Sequence, residues 1–300
     1  MRIVSVLPSA TEIVFVLGHG AELVGRSAEC DYPPEVASLP VVMRPRTLDL
    51  DRSSAEIDRR VQDVRGRDES LYDLDIDRLS ELAPDLILTQ DLCRVCSVTD
   101  AEVASACARA DVAPRIVSLT PRTLAGVFAS IEAVGRALED PAPARALTRR
   151  LRERCARPPG PAVARVAVVE WLDPPIVAGL WTPDIVRAAG GESIGPRSGR
   201  PGERTGWARL SSDPPDLLVL SPCSFSVDRS RRELEAPALR RAVAGVRAPL
   251  GTFIADEAYF SRPGPRLADG VELVRHLLAR APWDPPMPVA PYAAGPEAAA

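Results

Sequence analysis

Short, β-branched apolar runs alternate along this chain with longer stretches whose apolar positions recur at helical spacing. Arg2 to Leu7 reads as a buried strand. Ser9 with Glu12 after it reads as a capping box opening a helix that ends at Gly18 and Gly20. Leu23 to Ser27, Asp85 to Thr89 and Val112 to Leu119 read as further strands, with a helix over Asp77 to Leu82 stopped by Pro84. Leu124 to Leu138 is helical by spacing. Asp140-Pro141 then starts a second helix over Ala142 to about Arg157.

Beyond Pro158 the scheme begins again. Val163 to Trp171, Asp216 to Ser221 and Gly251 to Ala255 read as strands. Helices follow Thr182-Pro183-Asp184 and run over Leu267 to Ala279. The two halves also resemble each other: LSELAPDLILTQDLC, ending at Cys93, parallels LSSDPPDLLVLSPC, ending at Cys223. The expected fold is therefore α/β, with two Rossmann-like lobes of mainly parallel sheet. The expected division is an N-terminal lobe over 1–121, a helical connector over 122–160 and a C-terminal lobe over 161–281. The proline- and alanine-rich stretch 282–300 is expected to lack a fold.

Composition narrows the chemistry. A net charge of −4, with no basic run interleaved with aromatics, argues against nucleic acid. Every basic residue apart from histidine is arginine, which disfavours Schiff-base, pyridoxal and Walker A mechanisms, since each needs a lysine. The apolar start is broken by Pro8, Ser9 and Glu12, so it reads as a strand and helix, not a signal peptide. No apolar stretch is long enough to insert in a membrane. A cytoplasmic location is the expectation. In that compartment the six cysteines stay reduced and are candidates for metal or redox chemistry.

In open parallel sheets, ligands sit beyond the carboxyl ends of the strands. That rule selects Ser9 and Thr11 at a helix start, Cys30 and Tyr32, then Cys93 and Cys96, then Glu170 and Trp171, Cys223, Tyr259 and Arg262. Trp181 joins them because tryptophan is scarce here and falls near predicted loops. Cys30, Cys93, Cys96 and Cys223 are expected to converge as a thiolate metal site, for zinc or an iron–sulfur cluster. The other eight residues are expected to contact a ligand. Cys107 and Cys155 fall in helical stretches and are assigned to packing. His19 and His276, the two histidines, are assigned structural roles.

LPSATEIVFVLG, ECDYPPEV, SLYDLD, PDLILTQDLCRVC, EWLDPP, Trp181 to Pro183 and YFSRPGPRL together resemble the cobalamin-binding-protein-like branch of the helical-backbone metal receptors, the class III substrate-binding proteins. The resemblance spans about Arg2 to about Ala281. It implies two α/β lobes joined by a long backbone helix, with a metal ion or a corrinoid-like metal chelate as ligand. In that branch a histidine is expected where this chain has Leu180.

Three readings stay open. The first is an intracellular protein binding a metal chelate or metal ion between its lobes. The second is a cytoplasmic metalloenzyme on the same cysteines, and the third a thiol redox or sulfur-transfer protein. No residue is assigned a catalytic role. A small-molecule or metal ligand is the expected partner, and the absence of a leader argues against a transporter.

Overall fold

A computed structural model describes residues 1–46, 51–67, 70–91, 98–157 and 160–293. The chain divides into two compact units. One comprises Met1–Asp49, Arg59–Pro121 and Ala125–Arg150, the other Leu50–Asp58, Arg122–Leu124 and Leu151–Ala300.

The first unit starts with β1 (Ile3–Ser5), α1 (Pro8–Val16), β2 (Leu23–Ser27) and β3 (Val41–Pro45). Then come α2 (Ser54–Gly66), β4 (Tyr72–Leu74), α3 (Ile76–Leu82), β5 (Leu86–Thr89), α4 (Asp100–Arg109) and β6 (Arg115–Ser118), followed by α5 (Leu124–Ala137) and α6 (Pro141–Arg154). Its sheet has the order β4-β3-β2-β1-β5-β6, parallel except for the β3–β4 pair. Ile3, Val4, Leu86, Ile87 and Leu88 are all buried, because helices cover both faces of a parallel sheet. The order reverses between β1 and β5, the switch point at which such sheets open a crevice.

The capping box expected at Ser9 does not form. Leu7 is the residue before the helix, Pro8 takes the first helical position, and no side chain caps the end. Proline with its preset φ starts this helix instead. The two helices expected over 122–160 are separated at Leu138 to Asp140, where Glu139 adopts φ 62°. There α6 turns back along α5: Thr148 donates to Glu132 at 2.8 Å, and a side chain at Gly135 would overlap the Ala144 methyl.

The second unit contains β7 (Arg165–Leu172), β8 (Pro175–Val177), α7 (Thr182–Ala188), β9 (Glu192–Ser193), β10 (Glu203–Arg204) and α8 (Trp207–Ser212). It continues with β11 (Leu217–Leu220), α9 (Val227–Glu233), α10 (Pro237–Ala244), β12 (Gly251–Ala255), α11 (Leu267–Ala279) and β13 (Val289–Pro291). β7, β11 and β12 run parallel, while β8 pairs antiparallel with β7 and carries β10 at one edge, and β13 forms the antiparallel edge on β12. Ala167, Val169, Leu218, Leu220 and Ile254 form one apolar core with Leu239 and Val243 of α10.

Among the described residues, 283–293 are not without structure, contrary to the expectation for 282–300. β13 completes the edge of β12, and the buried Tyr259 phenol donates to the Met287 carbonyl at 2.8 Å and accepts its N–H at 3.2 Å. Proline-rich composition did not reveal an edge strand because proline is tolerated there.

The repeat seen in the sequence has a structural counterpart. The Asp85 carboxylate accepts the Arg2 N–H at 2.7 Å, and the Asp216 carboxylate accepts that of Arg165 at the same distance. On the other side, the Asp85 and Asp216 carbonyls accept the N–H groups of Arg115 and Leu250. Each aspartate thus ties the start of its own strand to both neighbours.

Candidate functional site

In the second unit, three adjacent parallel strands end close together and their loops are stapled to one another. The Cys223 N–H donates to the Glu170 carbonyl at 3.0 Å, and the Ser221 hydroxyl to the Asp256 carbonyl at 3.2 Å. The Ser224 N–H reaches the Glu257 carboxylate at 3.4 Å. Ser224 itself sits at φ 62°, so the loop after β11 turns sharply and leaves that residue exposed.

These staples bring four kinds of group to the strand ends. The half-buried Cys223 thiol lies 3.3 Å from the Ser261 hydroxyl. The Arg262 guanidinium donates to Glu257 at 2.6 Å. The half-buried Trp171 indole packs on Phe225, with ring centroids 5.4 Å apart. Glu170 stands beside Trp171 against Gly202, where any Cβ would overlap its carboxylate. Burial pushes the Glu257 carboxyl up, and the Arg262 charge opposes that rise. The arrangement supplies a soft donor, a flat apolar face and a paired guanidinium at one end of a rigid sheet.

Part of this surface is held by a segment from early in the sequence. Trp171 Nε1 donates to the Ser54 carbonyl at 3.2 Å. Glu233 accepts the Ser54 N–H and hydroxyl, Arg229 donates to the Arg52 carbonyl at 2.5 Å, and Arg204 grips Asp58 through two bonds of 2.9 and 2.6 Å. Residues around Ser54 are therefore part of the second unit's structure.

Two of the residues expected at this site are structural. Trp181 is buried and donates to the Phe260 carbonyl at 2.5 Å. Tyr259 is fully buried on the tail, and burial pushes its phenol up to about 12. Leu180, before Trp181, adopts φ 51° with its N–H on the Arg200 carbonyl at 2.6 Å.

In the first unit, the strand ends place the expected residues differently. Thr11 is fully buried, and its hydroxyl lies 2.9 Å from Ser5 Oγ, 3.3 Å from the Leu7 carbonyl and 3.1 Å from Cys30 Sγ. Ser9 is also buried. The Arg26 guanidinium gathers the carbonyls of Ser27, Ala28, Cys30 and Ala37 at 3.0 to 3.3 Å, and so shapes the loop that carries Tyr32. Tyr32 is 47% exposed, the most accessible of the expected ligand contacts in this unit. Nearby, Glu29 accepts from the Tyr72 hydroxyl at 3.3 Å.

The four-cysteine metal centre is not supported. Cys93 and Cys96 lie outside the described residues. Cys30 is turned inward and 1% exposed, whereas Cys223 belongs to the other unit. Among the described residues, no group of three or more histidine, cysteine or acidic side chains could hold a metal. Post-strand position was a poor guide for Cys30, because a small thiol beside Thr11 packs well in a core.

Sequence reasoning missed Ser54, Arg229, Glu233, Glu257 and Ser261. Glu257 had a signal, since it follows the carboxyl end of β12 and precedes Arg262 by five positions. The Ser54 contacts had none, being made across 179 positions.

No protein-family model and no curated protein matches this chain. Solved structures do. A periplasmic heme-binding protein from Pseudomonas aeruginosa aligns with a TM-score of 0.70 at 19% identity, over 97% of this chain and 98% of that one. The periplasmic heme-binding protein BhuT, solved with two hemes, gives 0.65 at 20% identity, over 93% and 98%. The periplasmic vitamin B12 binding protein BtuF of Vibrio cholerae gives 0.58 at 21% identity, over 93% and 96%. This chain shares the fold of these binding proteins, two α/β units built on mainly parallel sheets, as the sequence pattern implied. These structures are of periplasmic proteins, and they overturn the cytoplasmic placement expected from the sequence. The broken apolar start was no evidence of compartment, because a first strand and helix look the same wherever the fold works. No helix among the described residues is long and apolar enough to cross a membrane.

Proposed function

We propose that this protein is an extracytoplasmic binding protein for a metal chelate, of the haem or corrinoid kind, and that the strand-end loops of the second unit contact it. The observation that carries this reading is the juxtaposition of Trp171, Cys223 and Arg262 at the ends of β7, β11 and β12, in the fold shared with haem- and B12-binding proteins. An indole face suits a planar macrocycle. The Arg262 fork, half-neutralised by Glu257, suits a carboxylate or amide arm of such a ligand. Cys223 would offer the metal of such a chelate a soft thiolate donor. Within the first unit, the exposed Tyr32 offers an aromatic face of its own for such a ligand. Glu170 lines the same end of the sheet, while Trp181 and Tyr259 act behind the surface by holding its loops; Thr11 and the buried Ser9 are structural within the first unit. A transporter that takes up the delivered ligand is the partner this reading implies.

The test is a spectroscopic titration with ferric haem and with hydroxocobalamin. Saturable binding of one of them, with an absorption change that Cys223→Ser alters and Arg262→Gln weakens, is the expected result. Failure of both ligands to bind, with the protein folded, would overturn the reading.

A further inference from the structure

A cavity of about 470 Å³ opens in the second unit, away from the carboxyl ends of the strands. It lies beside β9, which pairs with the first residues of β7: Glu192 faces Arg165 and Ser193 faces Val166. Trp171 stands at the other end of β7, about 20 Å along the strand. The titratable lining of the cavity is three arginines, Arg157, Arg187 and Arg197, against one carboxylate, Glu192. Ser193 and Ser198 add hydroxyls. In a chain with net charge −4, this is a local excess of positive charge.

The arginines are weakly engaged. Arg157 donates to the Gly160 carbonyl, a neutral acceptor. Arg187 stands 3.4 Å from Asp184, whose other oxygen already accepts from Ser198 at 2.8 Å and from the Leu124 N–H at 3.1 Å. Arg197 has no carboxylate within ion-pair distance among the described residues.

The wall is also fixed in advance. Gly195 and Gly199 adopt φ 118° and 83°, backbone that glycine supplies without strain. Between them, the Ser198–Asp184 bond and the Gly199 N–H on the Leu180 carbonyl at 2.9 Å pin the loop to α7. A cavity with a rigid wall and weakly engaged guanidiniums loses little entropy on receiving an anion.

We infer that this cavity is a binding site for a small polyanion bearing phosphate or clustered carboxylate groups, separate from the chelate site. Guanidinium forks match the oxygen pairs of either group. Glu192 at its edge sets a limit, excluding ligands that place negative charge on that side.

Calorimetric titration of the full chain with inorganic pyrophosphate and with citrate, at low ionic strength, tests this. Binding of either at one site per chain is expected, and which of the two binds tells phosphate from carboxylate recognition. Arg197→Gln should weaken it at least about tenfold, Glu192→Gln should tighten it, and Cys223→Ser should leave it unchanged. The last variant separates this site from the chelate site. No binding of either probe, or binding that Arg197→Gln does not alter, would overturn the inference.

Discussion

The buried Glu233 carboxylate accepts both the N–H and the hydroxyl of Ser54, at 2.7 and 2.6 Å through one oxygen, across 179 positions of chain. Its other oxygen takes Arg229 at 2.9 Å. Ser54 is the first residue of α2, whose own Ser53 and Glu56 already exchange capping bonds, and a side chain from α9 satisfies one more free N–H of that helix start. Arg229 in turn lies over the Phe225 ring at 4.3 Å, and Phe225 supports Trp171. One carboxylate thereby connects the α2 start to the aromatic face of the candidate site.

Replacing Glu233 with alanine strands two donors of Ser54 and the half-enclosed Arg229. The expected loss is about 2–4 kcal/mol, measured by urea denaturation. Glu233→Gln keeps an acceptor and should lose less. Equal losses from the two variants would show that the bonds to Ser54 contribute nothing.

The paired aspartates should differ in weight. Asp85 is exposed and Asp216 half-buried, though each holds a strand-start N–H at 2.7 Å. Asp216→Ala is expected to cost about 1–2 kcal/mol and Asp85→Ala about half that, because water replaces the lost bond more readily at the exposed site. Thermal unfolding of the two variants checks the order.

Tyr259 should ionise only well above the ordinary tyrosine value. Its folded value is raised to about 12 by burial, above the ordinary value of 10. A raised value means that its contribution to stability is complete below the unfolded value, and is lost as pH climbs from about 10 through about 12. Ultraviolet difference titration should find one phenol ionising together with unfolding. Tyr259→Phe should remove that step, and should also loosen the tail at Met287, as read by proteolysis. A Tyr259→Phe tail as resistant as the wild type would contradict the anchoring role.

Cys155 should resist alkylation near neutral pH. Burial raises its thiol to about 11, outweighing the pull of Arg154 and Arg275. Peptide mapping after iodoacetamide treatment at pH 8 should find Cys155 modified slowly, with the rate climbing tenfold per unit as pH rises toward about 11. Rapid labelling at pH 8 would show that the α6 end opens in solution.

Local pattern determined much of this protein. β-branched runs located β1, β2, β5, β7, β11 and β12, and Asp140-Pro141 marked the break between α5 and α6. Such features depend on neighbours in the chain, so the amino-acid order carries them. The carboxyl-end rule likewise selected Trp171, Cys223 and Arg262, because a parallel strand leads its next residues to the edge of the sheet.

It could not tell which of the selected residues face outward. Thr11, Cys30, Trp181 and Tyr259 follow strands just as Cys223 does, yet they turn inward to Ser5, Phe260 and Met287. Nor could it join Ser54 to Glu233 or Arg154 to Asp269 and Glu272, pairs that lie within the second unit although far apart in sequence. Sequence by itself determined where strands, helices and their loops fall, since backbone preference and apolar period are local. Only tertiary structure decided which polar side chains are consumed in holding the fold and which remain for a ligand, because hydrogen-bond partners are chosen by proximity in space.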